Sequence, residues 1–342
     1  MICSWQMAAW SSLFAKRSLL PHALLVSGRA GIGKLAFARL VCKALLCEGP
    51  ETNATPCEIC AACHWFDQNT HPDFKLLQPE SRSTNELAEN GEARGPGHEK
   101  RGSAQISVEQ VRGLADFVGL TAHRRGRKVI LLQPAEDLSV SAANALLKTL
   151  EEPPPETVFL LVTDRPHRVL ATIRSRCHIL VMPVPSAEEG LAWLMGQGAV
   201  EPVLALAEAG FAPFRALENA KSDYFERRKT FLGTLARGNL DPISEAAVPG
   251  PGDLADVLSW FQKWTYDLTV VRLAGRVRYN PDFLDPLRRI ADQANVMHLG
   301  KLYRSLLNDQ AMLNHPLNPR LVLERMFVEY VRCVQALPAS PS

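Results

Sequence analysis

Five short runs of branched apolar residues lie in the first half of the chain: Ala23–Ser27, Phe74–Leu77, Val129–Leu132, Val158–Thr163 and Ile179–Met182. Their near-continuous apolarity predicts strands of a parallel sheet covered on both faces. Between them the period changes. Ser107 and Gln110 form a capping box at a helix start, after which Val108, Val111, Leu114, Ala115 and Val118 recur at helical spacing. The run SAANALLKTLEE repeats the pattern with Ala142, Ala145, Leu146, Thr149 and Leu150, and Pro153–Pro155 end it. Strands alternating with helices predict a doubly wound α/β domain.

Beyond about Pro183 the strand pattern stops. Leu254, Val257, Leu258, Phe261, Thr265, Leu268 and Val271 form one helical stripe, and NPRLVLERMFVEYV near the end forms another. The C-terminal third is therefore expected to be all-helical, with a loop at Ala247–Asp253. Glu80–Gln105 is poor in apolar residues and rich in glycine and mixed charge, which predicts an insertion without a core of its own.

The 342 residues suffice for two or three domains. A net charge of +2 exerts no global pull on nucleic acid or membrane. No apolar run approaches the roughly 20 residues of a bilayer span. In MICSWQMAAWSSLFAKR the basic residues follow the apolar ones, the reverse of a secretory signal, so the expected location is cytoplasmic.

The first strand runs into GRAGIGKL, with Gly28, four residues, Gly33 and Lys34. That is the spacing of a phosphate loop, in which glycines turn amides toward phosphate oxygens and the lysine reaches the terminal phosphates. The next position should carry the hydroxyl that coordinates magnesium, but it is Leu35. After Val129–Leu132, Gln133 and Pro134 stand where acidic residues would hold magnesium and orient water. Glu136 and Asp137 come later, past a proline, where displaced carboxylates fit metal geometry poorly. These losses predict, at most, nucleotide binding without hydrolysis.

Cys47, Cys57, Cys60 and Cys63 are spaced as C-x9-C-x2-C-x2-C. Four thiolates suit a closed, structural tetrahedral zinc site, with an iron–sulfur cluster as the alternative and His64 as a substitute ligand. Cys3, Cys42, Cys177 and Cys333 read as apolar thiols. HRRGRK (His123–Lys128) is the most basic stretch; it reads as a solvated loop, with contact to DNA phosphates as the alternative.

Together PHALLVSGRAGIGK, the cysteine module followed by THPDF, SAANALLKTLEEPP and RSRC at Arg174–Cys177 resemble the delta-prime family of subunits of the bacterial DNA polymerase III clamp loader, an AAA+ family. The resemblance covers about the first 180 residues. It implies a five-stranded parallel P-loop-type core with an inserted zinc module, a small helical lid and an all-α C-terminal collar. The corresponding boundaries are 1–183 for the core, with the zinc module at 47–64 and the insertion at 80–105, then 184–222 and 223–336. It assigns Arg176, with Ser175, to a finger inserted in trans into the ATP site of a neighbouring gamma/tau ATPase subunit. Thr163 matches a phosphate-sensing position, expected as a structural remnant, and Arg215 loosely matches a second sensor. The implied partners are gamma/tau and delta subunits, with the sliding clamp and primed DNA reached through the assembly and no membrane. The catalytic gamma/tau subunits share most of these motifs, so an active ATPase is one alternative. A zinc-dependent DNA-binding module is the other.

Overall fold

A computed structural model describes residues 2–15, 20–50, 55–81, 103–119, 122–123, 127–220, 223–238, 240–246, 254–313 and 318–334. Most of the expected insertion, the middle of HRRGRK and the loop at 247–253 lie outside these residues. The chain divides into two compact units, Met1–Pro185 and Ser186–Ser342.

The first unit begins with α1 (Met7–Phe14), β1 (Ala23–Ser27), α2 (Lys34–Leu46), α3 (Ala61–Asp67) and β2 (Phe74–Leu77). It continues with α4 (Val108–Gly119), β3 (Lys128–Leu132), α5 (Val140–Glu151), β4 (Thr157–Thr163), α6 (Ala171–Arg174) and β5 (His178–Val181). The five strands form one all-parallel sheet in the order β2-β3-β4-β1-β5. β1, β3 and β4 are buried at every position, as their apolar runs require. β5 departs from the expectation of cover on both faces: it is an edge strand, and Ile179 and Val181 are 46% and 68% exposed. An apolar run shows that a strand forms, whereas its place in the sheet decides its cover.

Two hydrophobic layers flank the sheet. One gathers Trp10, Phe37, Val41, Leu45 and Phe66 with Val26, Val129 and Leu160. The other gathers Val111, Leu114, Leu146 and Leu150 with Leu25, Ile130 and Phe159. The α4 capping box forms as expected: Ser107 N–H donates to Gln110 Oε1 at 2.9 Å, and Gln110 N–H donates to Ser107 Oγ at 3.3 Å. Ala115 is exposed rather than part of the buried stripe.

The described residues of the second unit contain helices and no strand: α7 (Ala187–Gly196), α8 (Pro202–Glu208), α9 (Pro213–Ala220), α10 (Tyr224–Ala236), α11 (Pro242–Glu245), α12 (Leu254–Ala274), α13 (Leu284–Gln293), α14 (Val296–Ala311) and α15 (Pro319–Val334). A small cluster joins Leu194, Ala205, Leu206 and Ala216, and a larger aromatic core is built on Phe231, Phe261, Trp264, Phe327 and Tyr330. On α12 the expected stripe is buried from Val257 to Val271, with Leu254 half-buried. Trp260, Trp264 and Asp267 widen it.

Candidate functional site

The four cysteines come together although they arise from three places: the end of α2, the turn after it and the start of α3. Their Sγ atoms all lie within 4.8 Å of one another, with Cys47–Cys60 and Cys57–Cys63 each at 4.0 Å. A tetrahedron with zinc–sulfur bonds of about 2.3 Å has sulfurs about 3.8 Å apart, so the set fits such an ion with slight contraction. The backbone is shaped to the sulfurs. Gly49 and Cys57 N–H groups donate to Cys47 Sγ at 3.3 and 3.2 Å. A β-carbon on Gly49 would stand 2.8 Å from Cys57 Cβ and within 3.3 Å of Cys47 Sγ, so only glycine leaves room. Backbone amides of Ile59 and Cys60 hold the Cys57 thiol down at about 6, whereas burial pushes Cys47 and Cys63 up. His64 is exposed and outside the cluster, so it does not replace a ligand. Lys43 anchors the module by pairing with Glu58 and with Asp67 at 2.9 Å.

The phosphate-type loop follows β1 as expected. Gly31 and Gly33 have φ of 75° and 85°, which side-chain-bearing residues rarely adopt, and Gly33 caps α2. A β-carbon at Gly28 would meet the Met182 carbonyl at 3.2 Å. Lys34 is 3% exposed and is held inside the protein: its Nζ donates to the Arg29 carbonyl at 2.5 Å and pairs with Asp164 at 2.5 Å. The sheet register explains the pair. Ser27 stands opposite Thr163, so the loop after β1 and the loop after β4 emerge side by side. Thr163 is buried and its hydroxyl accepts from Arg165 N–H at 3.1 Å, while Glu136 Oε1 accepts from Asp164 N–H at 3.1 Å. Leu35 packs against the apolar layer. Gln133 is buried, and Glu136 and Asp137 sit in a short 3-10 turn. From the other side Trp5 Nε1 donates to the Ile32 carbonyl, and Gln6 Nε2 to Ile32 and Gly33.

Arg176 and Ser175 follow α6, a single turn with Leu170 at its N-cap. The Arg176 side chain is 34% exposed, and Nη1 donates to the Thr172 carbonyl at 3.0 Å. Cys177 is half-buried; Cys3, Cys42 and Cys333 are buried, and burial raises all four thiols. Arg215 is exposed on α9. Of HRRGRK, Lys128 is buried rather than solvated: its ammonium binds the Phe117 carbonyl and lies 4.9 Å from that ring's centre. Arg127 pairs with Glu156.

Sequence reasoning missed Asp164 and Glu151 as the ion-pair partners of Lys34 and Arg176. For Asp164 the usable signal was its place just after a central strand. For Glu151, which pairs with Arg176, no local signal exists. No helix among the described residues is long and apolar enough to cross a membrane.

A family model described as "DNA polymerase III, delta subunit" matches residues 7–186. A DNA polymerase III subunit delta' of Pseudomonas aeruginosa is 38% identical over 275 residues, which cover 77% of this chain and 76% of that protein. One from Haemophilus influenzae is 36% identical over 62% of this chain and 58% of its own length. A DNA polymerase III subunit tau of Salmonella typhimurium is 35% identical over 52% of this chain but 24% of its own length. The match to delta' proteins thus extends past the α/β unit, whereas the tau match spans about half the chain. With the parallel sheet, the phosphate-type loop and the cysteine cluster in place, the chain belongs to the delta-prime family of DNA polymerase III clamp-loader subunits, on an AAA+ fold.

Proposed function

We propose that the chain is a non-hydrolysing clamp-loader subunit that acts as a rigid stator and supplies Arg176 in trans to a neighbouring gamma/tau ATPase subunit. In this reading residues 184–222 form a lid and 223–336 a collar that joins delta and gamma/tau partners. The assembly opens the sliding clamp and loads it on primed DNA.

One observation carries the silent half of the reading: the loop lysine is already neutralised from within. Phosphoryl transfer needs a lysine on the phosphates, a hydroxyl and a carboxylate on magnesium, and a placed water. Here Lys34 is spent on Asp164 and the Arg29 carbonyl, Leu35 offers an apolar side chain packed against the core in place of a hydroxyl, and Gln133 and Pro134 replace the acids. The one-third exposure of Arg176 supports the active half, because a guanidinium delivered to a neighbour's phosphates must reach past its own surface. The cysteine cluster holds a structural zinc ion in this reading. All four tetrahedral positions are protein thiolates, so the ion supplies folding energy and no open coordination site.

The test is reconstitution with partner ATPase subunits. Arg176→Ala is expected to assemble normally yet lower DNA-stimulated ATP hydrolysis by at least about tenfold, within what trans arginines contribute. Full activity of that complex would sink the finger assignment. ATP turnover by the isolated chain, abolished by Lys34→Ala, would instead favour an active ATPase.

A further inference from the structure

Arg176 is fixed from two helices. Its Nη2 pairs with Oε1 of Glu151, the last residue of α5. Its Nη1 donates to the Thr172 carbonyl at 3.0 Å and to Ser175 Oγ at 3.3 Å, and Ser175 Oγ in turn donates to Thr172 at 3.0 Å. Glu151 comes from one crossover and Thr172 from the next, so the guanidinium is braced in two directions. The side chains of Arg176 and Glu151 are 34% and 49% exposed. An ion pair this open adds little to stability. Its effect is on freedom: an unbraced arginine explores many rotamers and must lose them when it engages a phosphate.

We propose that Glu151 is a positioning residue for Arg176. It holds the guanidinium in one direction before a neighbouring nucleotide site arrives. This inference rests on the trans-arginine reading and adds the residue that aims it. Glu151 touches neither nucleotide nor reacting atoms; it acts through Arg176. The contacts to Glu151, Thr172 and Ser175 engage three of the five guanidinium N–H groups, which leaves Nε–H and the second Nη2 hydrogen for phosphate oxygens. The position of the carboxylate follows from the end of α5, where Pro153–Pro155 stop the helix just past Glu151.

The experiment is steady-state ATP hydrolysis by the reconstituted, DNA-stimulated assembly, with kcat and KM measured separately for wild type, Glu151→Ala, Glu151→Gln, Arg176→Ala and the double variant Glu151→Ala/Arg176→Ala. Misaiming a catalytic group lowers turnover, not ground-state nucleotide affinity. Glu151→Ala is expected to lower kcat roughly three- to tenfold, with KM within about twofold and unchanged melting and assembly. Glu151→Gln keeps an acceptor oxygen and is expected to recover most of that loss. The double variant is expected to be no slower than Arg176→Ala. If Arg176→Ala is slow while Glu151→Ala matches or exceeds wild type, the pair is incidental or a restraint, and the positioning role is wrong while the finger stands. Additive losses in the double variant would also overturn it. If Arg176→Ala is itself fully active, the finger reading fails and takes this inference with it.

Discussion

At the scale of single residues, the chemistry is set by which partner each charge meets. Lys34 has the neighbours of a phosphate-binding lysine, yet a carboxylate of its own chain stands beside it. Asp164 is half-exposed while Lys34 is buried, so the aspartate can be altered without opening the core. Removing one unit of negative charge at contact distance in a partly buried site is worth about 1–2 kcal/mol, or roughly a tenfold change in affinity for an anion. Asp164→Asn is therefore expected to bind magnesium-free ATP about tenfold more tightly than wild type in calorimetric titration, still without hydrolysing it. Equal affinities would show that the ion pair does not close the loop. Gly49 is the opposite kind of residue: its role is to add nothing, because any β-carbon there collides with Cys57.

At the scale of elements, helix ends place the functional groups. Serine at the start of α5 caps it, with Ser139 Oγ accepting from Ala142 N–H at 3.2 Å, and the far end of the same helix carries Glu151. Losing such a cap costs about 1 kcal/mol. Ser139→Ala is expected to lower the unfolding free energy by about that amount in denaturant titration. A loss near zero would mean that the Oγ contact is not a functioning cap. In the second unit, Asp267 of α12 is fully buried and accepts from the backbone N–H groups of Arg278, Tyr279 and Asn280 and from the Asn280 side chain. It thereby pins the turn that leads to α13. Burial pushes this carboxyl up, against the pull of the donors. A periodicity search treats such an aspartate as a surface residue, because only the returning turn shows it to be enclosed. The other helical features were readable: the α4 capping box, the α12 stripe and the proline stop are all local patterns.

For the whole molecule, each unit has its own core, and only the first contains the cysteine cluster. Metal bound to thiolates stabilises the fold that assembles them, and thiolate ligands make that affinity fall as pH drops. Chelation is expected to lower the melting of the α/β unit and leave the helical unit's transition in place, with close to one zinc released per chain. Calorimetry with metal analysis reads both. A chelator that shifts neither transition, or zinc-free protein of equal stability, would refute the structural ion. The helical unit is held by a buried charge of a different kind. Glu208 of α8 is fully enclosed and receives Tyr224 at 2.6 Å, Asn219 at 2.9 Å and Lys263, and so links the small helical cluster to the aromatic core. Removing one member of such a set is costly because the others stay buried without it.

The sequence by itself determined the five strands, the start of α4 and the stop of α5, the phosphate-loop spacing with its missing magnesium groups, and the four-cysteine set. Each of these is written in neighbouring residues, where steric limits, period and ligand spacing act over a few positions. The tertiary structure alone decided that β5 lies at the edge, that Lys34 faces Asp164, that Glu151 faces Arg176, and that Glu208 and Asp267 are enclosed. Those meetings depend on parallel register and on crossovers that bring distant segments side by side. A charge has no periodicity that would announce its partner in advance.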